Sequence, residues 1–197
     1  MHFNLVSHER PDSNLTCDMI VKNAPLGART NGQMHPPERQ LIYDTVRARK
    51  PNLVAECGTW KGGGSTLAIA KALHENQHGK LLSFETNPGF HDEAVKRFRA
   101  ERPELMPYVS FYLCDFIAGL RPFLPNMVVL DGPEDANYTL RSFWACQSAT
   151  CMILHDWKNS KCDSVKKALE NPSVLHAASW RIDTVLDTET GMARIIR

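Results

Sequence analysis

Acidic side chains follow five successive apolar runs of the sequence. Each run has the length and composition of a short buried strand, and most are followed by a segment with helical periodicity. The carboxylates at or just beyond the ends of the runs are Glu56, Glu85, Asp115, Asp131 and Asp156. Ligands of open parallel sheets bind outside the carboxyl ends of the strands. We therefore expect these acids to line one edge of a sheet and to act on a ligand there.

A glycine-rich segment follows the first of these runs. Leu53–Cys57 has the pattern of a buried strand, Gly58–Gly64 that of a turn, and Ser65 begins a helical pattern. Free N–H groups at such a turn favour an anion, but Glu56 at the mouth of the turn would repel a pyrophosphate. The segment therefore predicts a nucleotide-like cofactor with a positive end, and S-adenosylmethionine (SAM) fits that description.

Two further acids have the positions of nucleoside contacts. Glu85 follows Gly64 by about 20 residues, the spacing at which an acidic side chain binds ribose hydroxyls; the alternative is a surface acid at a strand end. Asp115 has two equally supported interpretations. It is either the N-cap of the following helical turn or an acceptor for the amino group of adenine.

The ends of the last two parallel runs carry the residues that we expect to face the acceptor. Asp131 precedes Gly132, so turn chemistry is its alternative, but with Asp156 it could bind a hard divalent cation such as Mg²⁺ or Ca²⁺. His155 is a candidate general base near neutral pH, or else a strand-end histidine with satisfied hydrogen bonds. Lys158 is a candidate helper in deprotonation, or else a solvated lysine.

The elements that must position these residues alternate between strands and helices. This alternation predicts an α/β fold with a doubly wound, mostly parallel, Rossmann-like sheet of seven strands. The last two strands are separated by residues 187–191, too few for a crossover helix, so they should form a C-terminal antiparallel hairpin. The predicted strands are Leu53–Cys57, Lys80–Glu85, Val109–Cys114, Met127–Leu130, Cys151–His155, Trp180–Leu186 and Met192–Ile196. The predicted helices cover residues 38–49, 64–76, 90–101, 116–120, 136–147 and 162–170.

Length and composition set the remaining expectations. The 197 residues suit one domain, residues 38–197, preceded by an arm of residues 1–37 that we expect to form a lid and to contain a short helix near 14–22. A net charge of +1 gives no support to a nucleic-acid or membrane partner. The six cysteines form no CxxC pair, and no run of 18 apolar residues occurs, which favours a cytoplasmic protein.

The pattern Glu56-x-Gly58-x-x-x-Gly62, followed by Glu85, Asp115 and Asp131-Gly132, resembles the class I SAM-dependent methyltransferases. The similarity is closer to the small O-methyltransferases of the catechol O-methyltransferase type and covers roughly residues 31–170. It implies that Glu56, Gly58 and Gly62 cradle the methionine part of SAM. The cofactor-binding residues that we expect are Glu56, Gly58, Trp60, Gly62, Ser65, Glu85, Asp115 and Asp131.

The resemblance also implies a metal site and shows three departures. Asp131 and Asp156 match the two metal-binding aspartates of the divalent-cation-dependent members. Ser65 stands one place later than the serine of the family, Trp157 stands where those members have an asparagine ligand, and Glu134 stands where they have a catalytic lysine.

The sequence thus predicts a SAM-dependent methyltransferase that acts on a hydroxyl of a small molecule, with a divalent cation as a candidate assistant and a homodimer as a candidate assembly. Asp131, His155 and Lys158 would face the acceptor. One alternative is a nicotinamide-dependent Rossmann oxidoreductase, although the chain lacks a GxGxxG turn. The other is a protein that binds SAM on the same fold without catalysis.

Overall fold

The computed structural model describes residues 34–146, 148–171, 173 and 179–197. The helix predicted near residues 14–22 and nearly all of the predicted arm lie outside these residues, so the lid stays a prediction. The helices are α1 Pro36–Arg49, α2 Ser65–Asn76, α3 Pro88–Glu101, α4 Phe116–Leu120, α5 Ala136–Ala145 and α6 Asp163–Glu170. The strands are β1 Leu53–Cys57, β2 Lys80–Glu85, β3 Val109–Leu113, β4 Met127–Leu130, β5 Cys151–His155, β6 Arg181–Leu186 and β7 Met192–Ile196.

The seven strands form one sheet in the order β3-β2-β1-β4-β5-β7-β6. Strands β1 to β5 are parallel, and β7 runs antiparallel to both β5 and β6. The predicted fold class is confirmed, including the C-terminal hairpin. The chain order reverses between β1 and β4, which places the topological switch point, and therefore the expected ligand site, beyond the ends of these two strands.

Most predicted boundaries agree with the structure to within two residues. Helix α1 begins at Pro36 because proline suits the first turn of a helix and because Glu38 accepts a hydrogen bond from the His35 backbone in a capping box. Two short 3₁₀ helices, Pro103–Tyr108 and Ser160–Cys162, were not predicted. The second of them contains Lys161, which is buried.

The sheet is buried on both faces. Residues alternate between the faces along each strand, so Val54, Val129 and Ile153 pack in one core with α1, α2 and α3. Ala55 and Val128 belong to the second core, on the side of α4, α5 and α6. The apolar runs that predicted the strands are continuous because both faces of a parallel sheet are covered by helices.

The register of the parallel strands brings their carboxyl ends level. Cys57 of β1 pairs with Phe84 of β2 and with Leu130 of β4, and Leu130 pairs with Leu154 of β5. Residues just beyond these positions therefore emerge at one edge of the sheet. Among the described helices, none is both long and apolar enough to cross a membrane.

Candidate active site

A cavity of about 510 Å³ opens at the carboxyl edge of β1, β2, β3 and β4. This size is typical of a small-molecule or cofactor site. Its lining includes six of the residues predicted to bind the cofactor: Gly58, Trp60, Ser65, Glu85, Asp115 and Asp131. The strand ends that were expected to converge on a ligand therefore do converge on a cavity.

Gly58 makes the close approach between the glycine loop and the end of β4. Its φ of +96° is rarely adopted by residues with a side chain, and a Cβ there would lie 2.2 Å from the carbonyl oxygen of Asp131. A glycine is therefore required at this position. Because Gly58 has no side chain, the backbone of the loop can lie directly against the Asp131 backbone at the wall of the cavity.

Glu85 is held by backbone donors on both sides. The Trp60 N–H donates to Oε2 at 2.8 Å, and the Thr86 and Asn87 N–H groups donate to Oε1 at 2.9 Å each. Trp60 has a φ of +46°, an uncommon conformation for a bulky residue, which turns its N–H toward the carboxylate. The carboxylate of Glu85 is thus fixed at the cavity wall before any ligand binds.

Glu56 does not line the cavity, and its role in binding the cofactor stays a prediction. Its side chain is fully buried and accepts hydrogen bonds on Oε2 from the hydroxyls of Thr66 and Ser83, at 2.7 and 2.6 Å. Burial raises the pKa of Glu56 to about 7, although the hydroxyl donors oppose the shift. Through these two hydrogen bonds Glu56 links β1 to α2 and β2. It is not part of the cavity lining.

Gly62 also lies away from the cavity. Its φ is +71°, and a Cβ there would come within 3.1 Å of the Phe98 ring. It allows the loop to pack against α3, so it shapes the site without contributing to its lining.

Asp115 has the N-cap position that was one of its two interpretations, and the contact with adenine stays a prediction. It is the N-cap of α4, where Oδ1 accepts the Ala118 N–H at 2.9 Å, and it also lines the cavity. Its Oδ2 accepts the Tyr138 hydroxyl at 2.7 Å. Burial raises the pKa of Asp115, but these donors outweigh it and the net pKa is lowered, so the carboxylate is charged at neutral pH.

Behind the cavity lies a cluster of charged side chains that begins at Asp131. Asp131 Oδ1 lies 2.9 Å from His155 Nδ1 and 3.3 Å from Lys161 Nζ. His155 Nδ1 also lies 3.2 Å from Asp156 Oδ2, and its Nε2 lies 3.2 Å from Glu38 Oε2. The structure thus brings together Asp131, His155 and Asp156, as predicted from their strand ends, and adds Lys161 and Glu38.

The surrounding carboxylates keep His155 protonated. Burial lowers its pKa, but hydrogen bonds to Asp131, Asp156 and Glu38 outweigh this effect and raise the pKa to about 12. A histidine that holds its proton across the neutral range cannot accept one there. The role of His155 as a general base near neutral pH stays a prediction, and the raised pKa favours a positive charge there instead.

Asp156 and Lys161 form the buried half of the cluster. Asp156 has a φ of +55°, which turns its carboxylate back toward β5, and it contacts the Lys161 ammonium. Burial raises the pKa of Asp156, but His155 and Lys161 outweigh it and lower the net value. Burial likewise lowers the pKa of Lys161, whereas Asp131 and Asp156 raise it more, so both groups are charged.

Glu38 is a functional candidate that could not be selected from the sequence. It is fully buried at the start of α1 and also accepts the hydroxyl of Thr188 from the β6–β7 hairpin. Burial raises its pKa, but His155 and Thr188 outweigh this and lower it. The residues Pro36, Pro37 and Glu38 signalled only a helix start, because the contact with His155 spans 117 positions of the chain.

Lys158 and Trp157 lie elsewhere. The Lys158 ammonium donates to the Thr188 carbonyl at 2.6 Å and pairs with Asp187 at 2.5 Å on the exposed hairpin. Trp157 packs in the second core, with the Lys166 ammonium 5.4 Å from the centre of its ring. The structure does not bring Lys158 to the cavity; Lys161, three residues later, lies in the cluster instead.

Three side chains of the cluster have the separations of a metal site. One ligand atom each of Asp131, His155 and Asp156 lies within 4.8 Å of the others. However, these atoms already contact the Lys161 ammonium and the imidazolium of His155. The donor set as folded therefore does not fit a divalent cation, because the anionic oxygens are neutralised by side chains of the protein itself.

Residues 55–157, slightly more than half of the chain, match a protein family described as a methyltransferase domain. The match extends from β1 to just beyond β5 and so includes the glycine loop and the strand ends that line the cavity. The chain belongs to this methyltransferase family. Together with the fold, this membership confirms the assignment of the chain to the class I SAM-dependent methyltransferases, and it gives no support to the oxidoreductase alternative.

Solved structures of methyltransferases share the fold of this methyltransferase domain. One from Geobacter sulfurreducens superimposes with a TM-score of 0.66 and 14% identity, covering 84% of this chain and 80% of its own. An S-adenosylhomocysteine (SAH)-bound methyltransferase of Podospora anserina has a TM-score of 0.65 and 13% identity, covering 91% and 85%. An O-methyltransferase of Bacillus cereus in complex with SAH has a TM-score of 0.60 and 15% identity, covering 92% and 90%. A comparison with curated proteins found no significant match.

Proposed function

We propose that this methyltransferase transfers the methyl group of SAM to a hydroxyl of a small molecule. The observation that carries the proposal is the double position of Asp131. It lines the cofactor-sized cavity, and its carboxylate also belongs to the cluster with His155 and Lys161. A methyl donor on one side of this residue and an acceptor hydroxyl on the other would be close neighbours.

The cavity suits SAM in size and in chemistry. The fixed carboxylate of Glu85 would accept hydrogen bonds from ribose hydroxyls. Asp115, which lines the cavity together with Phe116 and Tyr138, would face adenine. Gly58 and Ser65, which line the cavity beside Asp131, would hold the methionine part. When bound, SAM supplies an electrophilic methyl group on a positively charged sulfonium.

The charge of the cluster suits a cationic ligand. The carboxylates of Glu38, Asp131, Glu134 and Asp156 face two positive groups, His155 and Lys161, so negative charge is in excess beside the cavity. Such an excess attracts a sulfonium more than a pyrophosphate. The preference for a ligand with a positive end, which was first assigned to Glu56, therefore has a second source in the acidic cluster at the end of β4.

Asp131 is the residue best placed to orient the acceptor. Its Oδ1 contacts both cations, whereas Oδ2 makes no hydrogen bond or ion pair to any other described residue. Oδ2 is therefore available to accept the hydrogen bond of an acceptor hydroxyl and then its proton. The positive charges of His155 and Lys161 would stabilise the oxyanion that develops as this proton leaves.

The second substrate, the compartment and the assembly complete the proposal. We propose a small hydroxylated acceptor as the second substrate, the cytoplasm as the compartment and a homodimer as the assembly, with neither a nucleic acid nor a membrane as a partner. The near-neutral net charge of +1 supports the absence of a polyanionic partner.

Transfer of a radiolabelled methyl group from SAM to a panel of catechols, phenols and sugars tests the proposal. We expect labelled product from at least one class of hydroxylated acceptor, and none from thiols or amines of similar shape. Binding of SAM and SAH without transfer to any acceptor would contradict the proposal and favour the catalytically inactive alternative.

A further inference from the structure

We propose that the ammonium of Lys161 takes the place of a divalent cation between Asp131 and Asp156, so that this methyltransferase needs no metal ion. The metal-sized group of Asp131, His155 and Asp156 would then be a site in which a side chain of the protein supplies the cation. The inference deepens the proposed function and rests on it only where activity is concerned.

The surroundings of Lys161 Nζ resemble the coordination of an ion by oxygen atoms. Nζ contacts Asp156 Oδ2, and it lies 3.3 Å from Asp131 Oδ1, 3.4 Å from the Gly132 carbonyl oxygen and 3.4 Å from Glu134 Oε1. The side chain is only 2% exposed, so these oxygens and not water are its main partners. A buried ammonium with several carboxylate partners is strongly held, since removing one partner would leave an uncompensated charge.

The local fold delivers Lys161 to this position. The left-handed conformation of Asp156 ends β5, and the Asn159 N–H bonds to the Asp156 carbonyl at 2.9 Å, which closes a tight turn. The 3₁₀ helix Ser160–Cys162 follows, and the Cys162 thiol lies 3.4 Å from the His155 carbonyl oxygen. The chain thus folds back over the end of β5 and places Lys161 against the two aspartates.

A divalent cation would have to displace these groups. Mg²⁺ requires oxygen ligands at about 2.0–2.1 Å in octahedral geometry, whereas Asp131 Oδ1 and Asp156 Oδ2 are both shared by Lys161 and His155. The ion would lie beside a buried ammonium that has nowhere to move without losing its partners.

Lys161 is a positioning residue in this proposal. It is not part of the lining of the 510 Å³ cavity, so it acts on the acceptor through Asp131. Its charge fixes the orientation of the Asp131 carboxylate and stabilises the oxyanion at a distance. A lysine that merely supported the fold would leave metal binding unchanged when it was replaced, and this difference makes the proposal testable.

The test is Mn²⁺ binding to the full-length protein, followed by electron paramagnetic resonance, in the wild type and in Lys161→Met, Lys161→Gln and Lys161→Arg. We expect no saturable Mn²⁺ site in the wild type or in Lys161→Arg. Loss of the ammonium in the Met or Gln variant should open the site and give saturable binding of one Mn²⁺, at concentrations about 100-fold or more below any weak binding by the wild type. Adding Asp131→Asn to either variant should abolish the new site and so locate it.

Calorimetry with SAH and assays of methyl transfer complete the design. Wild-type transfer should be unchanged by EDTA, and the Arg variant should retain more activity than the Met variant at equal SAH affinity. Stoichiometric Mn²⁺ binding by the wild type at the Asp131 site, or failure of both folded neutral variants to gain Mn²⁺, would overturn the proposal. If no form of the protein binds SAH, the proposed function fails, yet the Mn²⁺ measurements still decide the role of Lys161.

Discussion

Asp131 Oδ1 lies 2.9 Å from His155 Nδ1, across the adjacent ends of β4 and β5. This pair connects the two halves of the site, because Asp131 also lines the cofactor-sized cavity and His155 reaches Glu38 at the start of α1. The pair is charged on both sides, since the carboxylates around the imidazole hold its proton. This charge state makes the stability of the protein depend on pH.

The stability of the protein should fall as the pH rises above the ordinary pKa of histidine. Folded His155 has a pKa of about 12, against about 6.5 in the unfolded chain, so the folded form keeps a proton that the unfolded form loses. The stabilisation is complete below pH 6.5 and is lost as the pH rises toward 12, with a slope of about 1.4 kcal/mol per pH unit.

Urea unfolding at pH 6, 7, 8 and 9 measures this slope, with His155→Gln as the matched comparison. The free energy of unfolding of the wild type should decrease with pH more steeply than that of the variant. Parallel pH profiles for the two proteins would show that His155 is not held protonated in the folded state.

Glu85→Gln should weaken SAH binding by about 10- to 100-fold, because a charge-assisted hydrogen bond contributes about 1.5–3 kcal/mol. Calorimetry with SAH and with its 2′-deoxy analogue separates a ribose contact from a general electrostatic effect. The loss should be smaller for the analogue, which lacks one hydroxyl donor. An equal loss for both ligands would argue against a contact between Glu85 and the ribose 2′-hydroxyl.

Gly58→Ala should lower both stability and SAH affinity. A methyl group there meets the Asp131 carbonyl oxygen at 2.2 Å and requires a strained φ, which alone costs about 1–3 kcal/mol. Gly89→Ala introduces the same methyl group in the first turn of α3, where the nearest atom is a side-chain oxygen at 3.2 Å. Thermal unfolding and calorimetry should show a marked loss in the first variant and little change in the second.

Asp131 and Lys158 were both predicted to face the acceptor, and the variants Asp131→Asn and Lys158→Ala test the two residues separately. Replacement of Asp131 removes the carboxylate that would orient the acceptor, so we expect methyl transfer to fall by about 100-fold or more. Lys158 pairs with Asp187 on the exposed hairpin, so its replacement should leave the rate within about twofold, as is usual for changes far from a site. A large loss in Lys158→Ala with unchanged stability would return Lys158 to the acceptor side.

The sheet and the row of acids could be predicted because they depend on local patterns. Continuous apolar runs such as Val128–Leu130 identify doubly buried strands, and parallel register then fixes which ends lie together. The residues after those runs, Glu85 and Asp131 among them, consequently reach one edge of the sheet. Alternation along β1 also explains the burial of Glu56, since its side chain lies on the same face as Val54 and faces Thr66 of α2.

Lys161 and Glu38 could not be predicted because their roles depend on tertiary packing. The 3₁₀ turn that brings Lys161 to Asp131 has no periodic signature over three residues. Glu38 reaches His155 only after α1 has packed on the sheet. The same distant contacts determine the protonation of His155. Without knowledge of these contacts, the expected pKa is the ordinary value of histidine, near neutrality.

The most direct test of the account is a calorimetric titration of SAH into the wild-type protein in a buffer containing EDTA. We expect saturable binding of one SAH per chain, unchanged when Mg²⁺ is supplied. Absence of binding by well-folded protein would contradict the assignment of the 510 Å³ cavity to the cofactor, and with it the proposed methyl transfer.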